Sequence, residues 1–218
     1  MRTIRVTGKG QLKVHPDMTR ITITLEGLHK DHGKTLQRSS EDTEKLRQLI
    51  TGFGFEPTDL KTLMFGVDTE HEGYRENGEY RSRFVGYKYT HMMKIEFESD
   101  NKRLGQILYA LAHSPLAPEF HISYTIKEPE RAKNELLGKA VADAVQKAAI
   151  LTSSAGVRLK DIQNIDYSWG EIDFEVHPMN RTVDAKMCCP TPSPSYDLNI
   201  EPDDIAVSDT VTVVWEIE

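Results

Sequence analysis

The 218 residues are 38% hydrophobic and 28% charged, with a formal net charge of -7, ordinary proportions for a globular chain with a real core. No run approaches the roughly 18 apolar residues of a membrane helix, and the start "MRTIRVTGKG" has no apolar core that could act as a secretion signal, so an intracellular protein is expected. After Lys186 there is no Lys or Arg while seven acids follow, so a balanced body ends in an acidic segment, and neither offers the basic face that nucleic-acid binding needs.

The first elements alternate. "IRVTG" and "MTRITITLEG" read as a half-buried strand pair, with Ile21, Ile23 and Leu25 on one face and Thr22, Thr24 and Glu26 on the other. From about Lys34 to Phe53 the spacing turns helical through Leu36, Thr43, Leu46, Leu49, Ile50 and Phe53, with Gly52 and Gly54 as the stop. "LKTLMFGVDTEH" and "FVGYKYTHMMKIEFE" predict a long hairpin whose mobile tip is the polar "EGYRENGEYRS".

A second helix, "SDNKRLGQILYALAHS", carries Leu104, Ile107, Leu108 and Leu111 on one face and closes before Pro115. "EFHISYTIKE" alternates as a strand. The longest helix runs from about Glu130 to Ala155, with a stripe of Ala132, Leu136, Leu137, Ala140, Val141, Ala144, Ala148 and Leu151 whose small residues allow close packing, and Gly156 as its stop. Strands near "VRLKDIQNIDYSW" and "AVSDTVTVVWEIE" complete the chain, separated by a polar, proline-rich loop over 177–204.

This order predicts an α+β fold of mixed, largely antiparallel sheets with helices packed on one face: a split βαβ-like first part, then a long helix and closing strands. The expected organisation is a single domain over 1–218, divisible into two interlocked subdomains, one over about 18–127 and one built from 1–17 and 128–218.

"IRVTGKGQLKVHPD" followed by "TRITITLEG" resembles the start of the SIMPL family, also called the domain of unknown function 541 family. "GFEPTDLKT", "FVGYKYTHMMKIE", the alanine-rich "KAVADAVQKAAILTSSAG" and the closing "IEPDDIAVSDTVTVVWEIE" resemble its later landmarks, in order and over nearly the whole chain. The closing phrase departs from the family in carrying Asp203 where a glycine is usual, and many relatives begin with an export signal that "MRTIRVTGKG" does not resemble. The resemblance implies a mixed α/β fold and a lean towards homo-oligomers, with no established catalytic residues.

Sites of chemistry are sparse. In "VTGKGQLKVHPD", Lys9 precedes Gly10 and a strand pattern follows, unlike the "GxxxxGK[ST]" loop that opens a helix and wraps phosphates. Gly8 and Gly10 are therefore expected to permit a positive-φ turn or bulge, with Pro16 and Asp17 making a second turn. His177, Cys188 and Cys189 are a poor metal set because adjacent thiols chelate one ion badly; Cys188 and Cys189 are kept as a redox-responsive pair. Glu70, His71, Glu72, Glu76 and Glu79 crowd the hairpin tip, where a solvated setting suits contact better than catalysis. Tyr74, Arg75, Tyr80, Arg81 and Arg83 are the partner or oligomer contact residues expected there. Ser153 and Ser154 lack a "GxSxG" elbow, and His15, His91, His113 and His121 are scattered over different elements.

The expectation is a non-enzymatic intracellular protein acting by self-assembly or protein binding, without cofactor, metal, nucleic acid or membrane span. A small-molecule or metal-dependent enzyme with a site built from dispersed His and acidic residues is the alternative, and a thiol-based stress or redox sensor a third reading.

Overall fold

The computed structural model describes residues 2–76, 79–167, 172–177 and 200–218. Their elements run β1 (Arg2–Val14), β2 (Met18–His29), α1 (His32–Thr51), β3 (Lys61–Glu76), β4 (Glu79–Glu98), α2 (Asn101–Ala112), β5 (Glu119–Thr125), α3 (Pro129–Ala155), β6 (Leu159–Asp166), β7 (Glu175–Val176) and β8 (Ile205–Ile217). This is the α+β class that the element order predicts. The chain divides into two compact units, one made of Met1–Asp17, Tyr124–Val176 and Pro202–Glu218, the other of Met18–Ser123 and His177–Glu201.

In the first unit the strands form a sheet in the order β1-β8-β6. β1 and β8 pair antiparallel without interruption from Arg2 opposite Ile217 to Val14 opposite Ile205. Alternation places Val6, Gly8 and Gly10 of β1 beside Val211, Val213 and Trp215 of β8 on the buried face, where α3 lies. The helix answers with Ala132, Leu136, Ala140, Ala144, Ala148 and Thr152, one buried residue every fourth position. A Cβ on Gly8 would run into the backbone of Ala140 and Ala144, and one on Gly10 into that of Leu136.

These glycines are therefore not a turn. They stand inside a strand, and positive φ among the described glycines is confined to Gly54 and Gly156. Their role is the missing side chain, which lets helix and strand backbones touch. The two N-terminal strands also do not form a pair: β1 pairs with β8, and β2 pairs with β4. Pro129 in the first turn of α3 and Gly156 at φ 68° after its last residue mark its ends. Its stripe shifts at the C-terminus, where Leu151 is exposed and Thr152 is buried, its hydroxyl donating to the Ala148 carbonyl at 2.8 Å.

The second unit has the strand order β3-β4-β2-β5. Two interlocked βαβ passages produce it: β4 lies between β2 and β3, the strands joined by α1, and β2 lies between β4 and β5, the strands joined by α2. The last two residues of β5, Tyr124 and Thr125, belong to the first unit, where they pair with Val176 and Glu175 of β7. Ile21, Ile23 and Leu25 of β2 and Met93, Ile95 and Phe97 of β4 meet Leu46 and Ile50 of α1 and Leu104, Ile107, Leu108 and Leu111 of α2 in one core.

Capping fixes where the two helices start. Asp31 accepts from the Lys34 amide at 2.9 Å, and Asp100 from the amides of Lys102 and Arg103. Leu36, expected on the buried stripe of α1, is exposed, and Thr35 and Ser39 take the inner positions. The polar exchange has a local cause: the Thr35 hydroxyl has the Asp31 carbonyl at 2.9 Å to accept its proton, with the Tyr87 carbonyl of β4 an alternative acceptor at 3.3 Å.

We expect Gly8→Ala to lower the stability of the first unit by about 1–3 kcal/mol or more, because backbone has to move to admit a methyl group. Gly138→Ala, on the exposed side of α3 with open space around it, should raise stability by about 0.5–1 kcal/mol through helix propensity. Urea midpoints of the two variants check both signs.

Candidate functional site

Strands that alternate regularly keep their ladder until a turn or an edge stops it, and β3 and β4 stay paired to Glu76 opposite Glu79. The stretch read from sequence as a polar tip is therefore strand on both sides; only Asn77 and Gly78 lie outside the described residues. β2 accompanies β4 from Tyr87 to Glu98 alone. Beyond Gly86 the hairpin is a two-stranded arm, about 25 Å long at roughly 3.3 Å per residue.

The arm leaves the sheet at a β-bulge, with Glu70 opposite Gly86 and His71 opposite Phe84. A Cβ on Gly86 would press on the His29 carbonyl at the end of β2, so glycine allows the close passage. A chain of edge-to-face rings ties this point to α1, running His32, Tyr87, Phe84 and His71 with centroid separations of 5.1, 5.2 and 5.7 Å.

All five expected contact residues are on the arm. Arg83 stands opposite Glu72 and donates to its Oε2 from Nε at 3.0 Å and Nη2 at 2.6 Å, with its guanidinium 5.9 Å from the Tyr74 ring. Arg81 stands opposite Tyr74 and lies 3.7 Å from Glu79; Arg75 stands opposite Tyr80. Tyr80 lies across Gly73 and is still 78% exposed. By strand alternation it shares one face of the arm with Phe84 and Arg75, while Tyr74 lies on the other with Arg81 and Arg83, so each face carries an exposed ring beside arginine.

A second concentration of polar groups is buried under α1. Tyr89 and His91 take inward positions in the β4 alternation, as Met93, Ile95 and Phe97 do, and each meets α1. The Tyr89 hydroxyl donates to Asp42 Oδ2 at 2.7 Å, and Lys45 at 3.1 Å and Arg38 at 3.5 Å complete the surroundings of the carboxylate. Burial pushes the Asp42 carboxyl up, but the Tyr89 hydroxyl and the two cations outweigh it and hold the group below its ordinary value. Burial and the neighbouring carboxylate push the Tyr89 phenol up, so it acts as a donor and stays protonated. The ring also covers Gly27, directly opposite in β2, whose missing Cβ makes room for it.

His91 accepts and donates in a chain whose direction can be read. Thr43 Oγ1 is 2.7 Å from the Ser39 carbonyl, which can only accept, so the Thr43 proton is used there. At 3.0 Å His91 Nδ1 must then carry its hydrogen and donate to Thr43, and Nε2 accepts from the Thr62 hydroxyl of β3 at 2.9 Å. Burial and the positive charge of Arg47 lower the pKa of the ring, which is neutral near pH 7.

A groove of about 480 Å³ runs along α1 past Glu26, His29, Lys34, Arg38, Asp42 and Lys45. Its charges largely cancel internally, as Glu26 is 2.6 Å from Lys88 and Asp42 is held by Lys45 and Arg38. His15 lies after β1, His91 in β4, His113 after α2 and His121 in β5. Among the described residues no three His, Cys, Asp or Glu are grouped to hold a metal ion. Ser153 and Ser154 are exposed in the last turn of α3. Cys188 and Cys189 lie outside the described residues. Asp42 and Thr62 escaped the sequence reading; the signal available was a tyrosine and a histidine in the inward register of a strand, which requires polar partners from the layer above.

The family model described as SIMPL, protein of unknown function (DUF541), matches residues 4–215. The chain belongs to the SIMPL family. A comparison with curated proteins finds no match. In this SIMPL chain the matched span takes in both compact units and the whole β3–β4 arm.

Tyr89→Phe removes one hydrogen bond to a carboxylate that keeps two cationic neighbours, and should cost about 1–2 kcal/mol at pH 7. Asp42 has its folded pKa below 3.8, so this stabilisation is present above that value and is lost as pH falls through the lower folded value. The gap between wild type and Tyr89→Phe should therefore narrow below pH 3.8, as chemical-denaturation midpoints across pH would record.

Proposed function

We propose that this SIMPL protein acts by association inside the cell, with copies of itself or with a protein partner, and not by catalysis, and that the β3–β4 arm is its contact element. The observation that supports this reading most directly is the exposure of large side chains on regular, paired strands. Tyr80, Phe84 and Tyr74 on the arm, and Leu63, Met64 and Phe65 where β3 runs along the sheet, are all more than a third exposed. Rings and guanidinium groups held on a ladder lose little conformational freedom on contact, which makes them efficient anchors.

β3 is also an edge strand among the described residues, where one side of its backbone has no neighbour in the sheet. Asp68, Glu70 and Glu72 along it discourage indiscriminate pairing, the usual way natural edges avoid aggregation. A contact here is therefore selective in charge as well as shape. The buried groups under α1 support the same reading from the other direction, because Tyr89 is satisfied by Asp42, and His91 by Thr43 and Thr62, in contacts that hold α1 to the sheet.

Light scattering on the untagged protein over a broad dilution series should give a mass above that of one chain at the concentrated end, or immobilised protein should retain a partner from a cell extract. Tyr74→Ser combined with Tyr80→Ser should reduce either by tenfold or more in affinity, on the order of 1.4 kcal/mol. A strict monomer without a partner would end the association reading. Association unchanged in the double variant would remove the arm from it.

A further inference from the structure

The feature that the association reading leaves unused is the ring of His91, together with the irregularity in β3 beside it. Residues three apart in a regular strand point to opposite faces. Between Thr62, opposite Met93, and Met64, opposite Met92, the register of β3 shifts, and Leu63 is the extra residue. The shift brings Thr62 and Phe65 to the same face, and both meet one side chain. The Thr62 hydroxyl donates to His91 Nε2 at 2.9 Å, and the Phe65 ring packs edge-on to the imidazole at a centroid separation of 5.2 Å. His91 thus spans the bulge at the root of the hairpin. Through Nδ1–H it is also tied to Thr43, and through Thr43 to the Ser39 carbonyl of α1.

We propose that His91 is an acid-sensitive clamp: neutral, it binds the root of β3 to α1 across the bulge at Leu63, and protonation of Nε2 loosens that root. The chemistry follows from the direction of the chain. Nε2 is the acceptor of the Thr62 proton. Once it carries its own hydrogen, Thr62 has to turn its hydroxyl hydrogen away and can only accept, and the ring then holds a positive charge in a buried position where no carboxylate meets it. Nδ1 offers no relief, since it already donates to Thr43, whose own proton is committed to Ser39.

The charges around the ring oppose protonation too. From α1 the charged group acting on it is Arg47, itself 3.0 Å from Glu44. Thr62 and Phe65 of β3 and Leu25, directly opposite in β2, are uncharged. Both ring nitrogens are bonded to threonine hydroxyls, so no carboxylate shares the proton. The device differs from a histidine–carboxylate pair, in which acid strengthens the contact. Here acid weakens it, and what it frees is an edge-strand segment carrying Leu63, Met64 and Phe65, each about half exposed.

The sign is fixed by linkage. A histidine whose folded pKa lies below its ordinary 6.5 contributes fully above that value, and its contribution falls as pH drops from 6.5 through the folded value. Opening of the β3 root should increase tenfold for each unit by which the His91 midpoint lies below 6.5.

The test uses the full chain labelled with ¹⁵N. Imidazole nitrogen shifts recorded from pH 8 to pH 4.5 should give His91 a midpoint below 6.5 and the Nδ1–H tautomer, and hydrogen exchange at the β3 amides bonded to β4 between Lys61 and Val67, corrected for intrinsic rates, should accelerate with the same midpoint. His91→Gln, whose amide can still donate to Thr43 and accept from Thr62, should remove that pH response. Thr62→Val, for use if the glutamine variant does not fold, should give a root that is less protected at pH 8 and changes less on acidification. An ordinary midpoint, an Nε2–H tautomer, pH-independent exchange in the wild type, or a wild-type response in His91→Gln or Thr62→Val would each overturn the proposal. These readouts follow one side chain and the amides beside it, so they stand or fall apart from whether the arm carries association.

Discussion

The backbone ladder of β4 is the constraint on which the second unit is built. Its 20 residues are paired on one side with β3 along nearly their full length and on the other with β2 from Tyr87 onward. An isolated two-stranded hairpin is marginal in water. The arm is held in register because its strands continue into a sheet whose inner face is covered by α1 and α2. A core of aliphatic and aromatic side chains at one end of β4 thereby supports an exposed surface at the other, joined by a single run of hydrogen bonds.

Each departure from regularity on this hairpin falls where something else has to happen. The bulge at Leu63 brings Thr62 and Phe65 onto the His91 ring. The second, between Glu70 and His71, lies where β2 ends, Gly86 clears the His29 carbonyl and the arm separates. Bulges conventionally bend a strand or re-aim a side chain, and these two bracket the stretch of β3 between the clamped root and the free arm. The polar groups under α1 follow the same economy. Asp42 and Tyr89, Thr43 and His91 each satisfy a partner that would be costly to bury alone, and in doing so they fix which face of α1 lies down.

Much of this architecture is legible in the sequence, because hydrophobic period and capping chemistry are local. Leu104, Ile107, Leu108 and Leu111 read as the buried stripe of α2 and are buried, and Gly156 reads as the end of α3 and takes the left-handed conformation there. The family resemblance carried by the opening and closing phrases agrees with the family match. What failed locally failed for tertiary reasons. Gly8 and Gly10 look like a turn because a glycine that lets a helix come close leaves the same mark in the sequence as one used for positive φ. The helical period puts Leu36 on the inner stripe of α1 because it is apolar, but the inner positions before Leu46 are polar: Thr35 and Ser39, with Asp42 and Thr43 bonded to Tyr89 and His91. The polar composition of residues 72–82 suggested a tip, whereas cross-strand pairs such as Glu72 with Arg83 extend the ladder through it.

The pairing of Arg2 with Ile217 has a consequence for the order of events during synthesis. The elements of the second unit from β2 to α2 are contiguous in the chain, so their contacts can form as soon as those residues are made. β1 precedes all of these in the chain, yet its partner β8 follows them, so closing the loop between the two strands requires ordering over about two hundred residues. The contiguous elements of the second unit can therefore pack against one another while β1 still lacks the strand that completes its sheet.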